Sequence, residues 1–128
     1  MAEILKNSSG LSGEYFVAEE LLRGGFSVGI TLDNAKAIDI FLERNGKQFF
    51  IQVKSIYKKK NVGWPILKDK IIPKHYYVFV NLNGDKMTYP DYYICKGKEA
   101  ILVAKQYTSR GIINLNSLSV AIRSYGIK

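Results

Sequence analysis

The chain has 128 residues, 47% of them apolar, with three prolines and a net charge of +8; this predicts one domain spanning 1–128, excludes disorder, and implies a polyanionic partner. A single cysteine and a single histidine exclude an internal disulfide and leave no basis for a zinc site. No run approaches the roughly 18 apolar residues of a membrane span and no signal-peptide core opens the chain, so the expected setting is cytoplasmic and away from membranes.

In chain order, residues 12–24 predict a helix, with Ser12 as a capping residue, Glu14 in its first turn and Gly24-Gly25 closing it. A strand is expected over 26–32, followed by a turn at Asp33-Asn34. Two strands, 36–44 and 47–57, flank Asn45-Gly46, the dipeptide most characteristic of a two-residue type I′ hairpin. Residues 58–74 form a basic loop in which Trp64-Pro65 opens at most one helical turn. Strands at 76–82 and 91–95 follow, with Cys95 as a buried small apolar residue, and then helices at 98–107 and 115–125, the second opened by Asn116 or Ser117. Strands alternating with helical segments indicate an α/β layer fold.

The hairpin carries the most specific information. With Asn45 and Gly46 as the loop, Arg44 pairs with Lys47, Asp39 falls opposite Gln52, and Ala37 opposite Lys54. Alternation then puts Asp39, Gln52 and Lys54 on one face, with opposed Cβ atoms about 5 Å apart. Their neighbours are mostly apolar, and burying charge there costs several kcal/mol unless the groups pair or bind something. A diagonal Asp39–Lys54 ion pair with Gln52 as hydrogen-bond partner is one reading, and a ligand site is the other.

A third polar residue sits in an apolar setting upstream. At 100° per residue, Tyr15, Val17, Ala18, Leu21 and Leu22 define the apolar arc of the first helix, and Glu14 falls near its centre. A first-turn glutamate is also favoured by the helix dipole alone. The charge of the chain is uneven: from Lys54 to Lys74 there are seven lysines and one acid, Asp69. Lys58, Lys59, Lys60, Lys68 and Lys70 in this block suit phosphate contact, although a solvated loop has the same composition. Tyr57 is the tyrosine best placed to touch a nucleotide; Tyr76, Tyr77, Tyr92 and Tyr93 read as packing.

A helix with an inward Glu14, then Ile38-Asp39, then Gln52-Val53-Lys54 resembles the PD-(D/E)XK nuclease superfamily, whose signature is an Asp at a strand start followed by (Asp/Glu)-x-Lys. The segment from Gly13-Glu14 to Gly25-Phe26 is similar to the first helix of archaeal Holliday-junction resolvases. The resemblance covers about residues 10–57. Two departures stand out. Gln52 replaces the second carboxylate, a change also found in the Mrr-type branch, and the usual helix between the third and fourth core strands is replaced by the basic loop.

The resemblance implies a restriction-endonuclease-like three-layer α/β core, a mixed central sheet flanked by helices, and Mg²⁺- or Mn²⁺-assisted hydrolysis of DNA phosphodiesters in defence, restriction or repair. It assigns the metal to Asp39, Gln52, the Val53 carbonyl and Glu14, and catalysis to Glu14, Asp39, Gln52 and Lys54, with Lys54 positioning water or stabilising charge on the phosphorane. Cutting both strands of a duplex would call for two sites, hence a possible homodimer. The alternative is a binding module on the same fold with weakened catalysis, a nucleic-acid-binding accessory or antitoxin-like partner, to which Gln52 points.

Overall fold

The computed structural model describes residues 6–31, 39–57, 62–84 and 89–115. The Asn45-Gly46 turn has φ of 55° and 78° at its two central residues, the left-handed pair a type I′ turn requires. It joins β2 (Ile40–Arg44) to β3 (Lys47–Ile56) in the expected register, with Arg44 opposite Lys47 and Ile40 opposite Ile51. At Ile51 the long strand changes neighbours. Its first half pairs antiparallel with β2, and its second half, from Ile51 to Ile56, pairs in parallel with β5 (Tyr76–Asn81). Adding β1 (Ser27–Ile30) outside β2 and β6 (Asp91–Lys96) outside β5 gives a mixed five-stranded sheet in the order β1-β2-β3-β5-β6.

One face of this sheet is covered by α1 (Lys6–Arg23), whose Val17 and Ala18 pack on Ile40, Leu42, Ile51, Val53, Val78 and Val80. The other face is covered by α2 (Gly97–Val103) and by a small sheet formed from β4 (Gly63–Pro65), β7 (Lys105–Gln106) and β8 (Gly111–Asn114) in the order β4-β8-β7. Trp64 anchors that layer. It is fully buried against Phe79 and Tyr93, and its Nε1–H donates to the Val80 carbonyl at 2.9 Å. The result is the expected three-layer α/β arrangement, with one flanking layer part helix and part sheet. Among the described residues no helix is long and apolar enough to cross a membrane.

Several local expectations are corrected. The first helix starts at least six residues earlier than Ser12, so Ser12 caps nothing and Glu14 lies in the helix interior, away from the N-terminal dipole. Its buried stripe includes Gly13, Val17 and Ala18, while Tyr15 and Leu22 are 51% and 57% exposed. Gly13 sets this rotation: a Cβ there would collide with the Ser55 hydroxyl on β3, so the helix lies against the sheet at that point. Trp64-Pro65 is strand and not helical turn, with one 3-10 turn following at Lys68–Lys70. The helix expected over 98–107 ends at Val103, because pairing in the small sheet takes over at Lys105. The turn at Asp33-Asn34, the Ala37–Lys54 pairing and the helix expected over 115–125, beyond Leu115, lie outside the described residues.

The close approach of α1 to β3 is testable. Gly13→Ala should destabilise the protein by about 1–3 kcal/mol, the usual cost of overpacking. Ser55→Gly should recover part of that loss. Denaturant midpoints of the two single variants and the double variant measure the coupling; additive effects would mean the two residues do not meet.

Candidate active site at the fork between two strands

The site residues gather where β3 parts from β2. Asp39 sits one residue before β2, where the β2–β3 register slips: it bonds Ile51, already the partner of Ile40, so the expected pairing of Asp39 with Gln52 is not formed. Its backbone N–H donates to the Ile51 carbonyl at 3.0 Å, and its own carbonyl accepts from the Thr31 N–H at 2.9 Å and the Thr31 hydroxyl at 3.2 Å. Its carboxylate accepts a third restraint, the Val53 N–H, at 2.8 Å from Oδ2. Backbone groups alternate sides along a strand, so the Val53 carbonyl faces the same side as that N–H, into the gap beside Asp39.

Side-chain alternation sorts the rest. Ile51 and Val53 turn towards α1, which leaves Gln52 and Lys54 on the opposite face. Among the described residues no ion pair joins Asp39 to Lys54, so the simple diagonal salt bridge is not what holds them. The Lys54 charge still acts on Asp39. Burial pushes the Asp39 carboxyl above its ordinary pKa, opposed by the Val53 N–H and by Lys54.

Gln52 is 9% exposed and is oriented by two acceptors on its amide nitrogen. Nε2 donates to Tyr77 Oη at 2.8 Å and lies 3.3 Å from His75 Nδ1. Burial lowers the His75 pKa and so favours the neutral ring, which can accept there. Tyr77 Oη also accepts the Ile72 N–H at 2.9 Å. With the nitrogen engaged, the amide oxygen is the end left for another ligand. Tyr77 reads in the sequence only as packing; its contact with Gln52 comes from the parallel β3–β5 register, which nothing local encodes, and His75 is carried in just before that strand.

Glu14 reaches this region from α1. Burial first, and the Asp39 charge second, push its carboxyl from 4.5 up to about 7. The structure therefore couples Glu14 to Asp39, and Asp39 to Val53 and Lys54, while Gln52 is tied to Tyr77 and His75. Gln52 and Lys54 also line a neighbouring cleft of about 410 Å³, together with Lys70, Ser109 and Arg110. Glu14 and Asp39 do not line it. Lys68 is half-buried and uses its backbone N–H to bond Gln106 Oε1 at 2.8 Å, and it too is outside the cleft. Lys58, Lys59 and Lys60 lie outside the described residues. Tyr57 is half-buried and packs on the α1-side core.

As a cation site the donor set is sparse but chemically suitable. No group of three or more His, Cys, Asp or Glu converges among the described residues. Two coupled carboxylates, an amide oxygen and a backbone carbonyl are nonetheless the hard oxygen donors that Mg²⁺ prefers. Burial is the leading reason that both carboxyls resist ionisation, with the Asp39 charge adding to it at Glu14.

The Glu14 shift has a measurable sign. Below 4.5 the carboxyl is protonated in both folded and unfolded chains and contributes nothing. Between 4.5 and about 7 the folded state binds more protons, so stability falls as pH rises, and the whole penalty is present above that window. Glu14→Gln should therefore raise the melting temperature at pH 8 and leave it unchanged near pH 4. Equal effects at both pH values would refute a buried, perturbed Glu14.

No protein-family model and no curated protein sequence matches the chain. Solved structures do. The bacterial homing endonuclease I-Ssp6803I superposes with a TM-score of 0.60 at 14% identity, covering 87% of this chain and 75% of its own. The Holliday junction resolvase Hjc of Archaeoglobus fulgidus gives 0.59 at 12% identity, covering 88% of this chain and 89% of its own. With the sheet order, the covering helix and these two neighbours in agreement, the chain has a restriction-endonuclease-like fold.

Proposed function

We propose that this protein is a metal-dependent nuclease that hydrolyses phosphodiester bonds in DNA. The observation that carries the reading is the fork itself: an Asp39 carboxylate fixed by the Val53 N–H, coupled to a Glu14 that resists ionisation, with Gln52 and Lys54 projecting from the same two turns of strand. The two structural neighbours are, by their own names, an endonuclease and a junction resolvase, which supports DNA as the substrate. A cytoplasmic setting and a homodimer bringing two sites to a duplex are part of this reading.

In this mechanism Asp39, Glu14, the Gln52 amide oxygen and the Val53 carbonyl would hold Mg²⁺ or Mn²⁺. The bound cation would acidify a water and neutralise charge on the scissile phosphate. Asp39 is restrained through its N–H, its carbonyl and its carboxylate, so it presents a fixed ligand at no reorganisation cost. Tyr77 and His75 engage the Gln52 nitrogen, which would leave its oxygen for the cation. Lys54, a compact positive charge on the same face, would position the attacking water and stabilise charge developing on the phosphorane. Lys58, Lys59, Lys60, Lys68 and Lys70 would add salt-sensitive attraction to the phosphate backbone.

A second reading, a DNA-binding module with weakened catalysis, is favoured by Gln52: a neutral amide gives a cation one charge fewer than the superfamily pattern. One substitution separates the two. Asp39→Asn keeps an acceptor for the Val53 N–H and removes the charge, so the fold should be retained. Plasmid nicking in Mg²⁺ should fall about 100-fold or more, the scale of losing one preorganised charge contact, with DNA affinity preserved. Lys54→Ala should slow nicking without weakening metal binding. Wild-type protein that never nicks in Mg²⁺ or Mn²⁺, and binds DNA as Asp39→Asn does, would leave the binding module.

A further inference from the structure

Beside the fork lies the cleft of about 410 Å³, a volume typical of small-ligand sites. Its charge is one-sided. Lys54, Lys70 and Arg110 border it and, among the described residues, no carboxylate lines it; Asp69, on the same 3-10 turn as Lys70, is not part of the lining. One wall is apolar, formed by Pro65, Ile66 and Leu67. Cations and an apolar wall in one cleft are what a phosphate and its attached sugar and base require.

The two sides of this cleft are fastened together. Gln106 Oε1 accepts the Lys68 N–H at 2.8 Å on the Lys70 side, while Gln106 Nε2 donates to the Tyr107 and Arg110 carbonyls at 2.7 and 3.0 Å on the other. The Ile66 N–H donates to the Gly111 carbonyl at 3.0 Å. A Cβ at position 111 would collide with the Ile66 carbonyl oxygen, so glycine is what lets the two walls approach. The Arg110 guanidinium stacks 5.2 Å above the Tyr107 ring, which holds an otherwise exposed cation in place.

We infer that this cleft binds one unpaired nucleotide of the DNA strand next to the scissile phosphate, with Arg110 and Lys70 on its flanking phosphate and Pro65 and Leu67 against its sugar and base. The inference rests on the proposed hydrolysis at Asp39 and deepens it by naming the substrate class: single-stranded, flapped or frayed DNA in preference to continuous duplex. A paired base would bring its partner with it, and a cleft of this size has room for one nucleotide.

Binding can be measured apart from cleavage, using full-length protein in EDTA and fluorescence anisotropy of a labelled oligothymidylate and of a blunt duplex across a salt series. The wild type should favour the single strand. Arg110→Ala and Lys70→Ala should each weaken single-strand binding about tenfold, as expected for one charge-assisted hydrogen bond, and each reduce the log–log salt slope by about 0.7. Ser109→Phe, which fills the cleft without removing charge, should weaken single-strand binding and leave duplex binding alone. Unchanged single-strand affinity in Arg110→Ala and Ser109→Phe, or equal losses on both substrates, would overturn the inference. The two failures are distinguishable. Cleft variants that lose single-strand binding in a protein that never cuts would sink the hydrolysis and keep the nucleotide site; variants that bind and cut single strands like wild type would sink the nucleotide site alone.

Discussion

Everything at the candidate site depends on where β3 changes partners. A strand whose first half pairs with β2 and whose second half pairs with β5 leaves backbone groups that no strand among the described residues pairs on the side that β2 has left. The Val53 N–H is such a group, and an unpaired buried donor costs about 1–3 kcal/mol. Asp39 satisfies it with a side chain in place of a main-chain carbonyl. One hydrogen bond thus ends the β2–β3 ladder, fixes the rotamer of a carboxylate, and leaves the Val53 carbonyl facing the opening. The structural and chemical uses of Asp39 are therefore inseparable in part: the acceptor is needed for the sheet, whereas the negative charge is not. That division is why an amide at this position tests chemistry and an alanine would test both at once.

The electrostatics follow from the same geometry. Burial pushes both Glu14 and Asp39 up, and each carboxylate that resists ionisation weakens the fold at neutral pH. A sequence under selection for stability alone would place Gln or Leu at position 14. Gln52 eases the conflict, because a third carboxylate at the fork would add repulsion to a place that already holds two. The Tyr77 and His75 contacts on Nε2 hold the amide in one orientation.

The hairpin was legible from the chain because its code is local: Asn45-Gly46 adopts the left-handed pair that few other dipeptides tolerate, and period-two alternation then fixes the facing residues from Arg44 and Lys47 to Ile40 and Ile51, beyond which the slip at Asp39 carries no local signal. The inward position of Glu14 was legible through helical period, but the rotation of α1 was misjudged. Tyr15 and Leu22 weigh heavily in any hydrophobic count, yet they lie outside while Gly13, which carries no hydrophobic signal, lies inside. Close packing of helix on sheet selects for the absence of a side chain, and absence is invisible to periodicity. The small sheet was illegible for another reason. Gly63–Pro65 pairs with residues 112–114, nearly fifty positions away, through segments too short to show alternation. Arg110 belongs with these: a lone arginine in a polar turn has no signal until the pairing carries it to Lys70.

The layer opposite α1 gives this chain its individuality. Its neighbours in fold share 12–14% of their residues with it, so the architecture is held by pattern and the chemistry by a few positions. The central sheet supplies the fork, which needs only Asp39, the Gln52–Lys54 segment and a helix to bring Glu14. The basic segment after β3 enters the three-stranded β4-β8-β7 layer, with Trp64 driven into the core as its anchor. A helix laid across that face would present one ridge of side chains along its length. A short sheet with a turn at its end instead raises two walls, Ile66–Lys70 and Ser109–Gly111, with Lys54 of the fork opening between them. Rigid pairing at the base of those walls, through Trp64 and Ile113 in the core, allows the loops above to carry exposed charge without loss of position. On the proposed reading, the fork would set what reaction is feasible, and the shape of the cleft built on this layer would set which phosphate is brought to it.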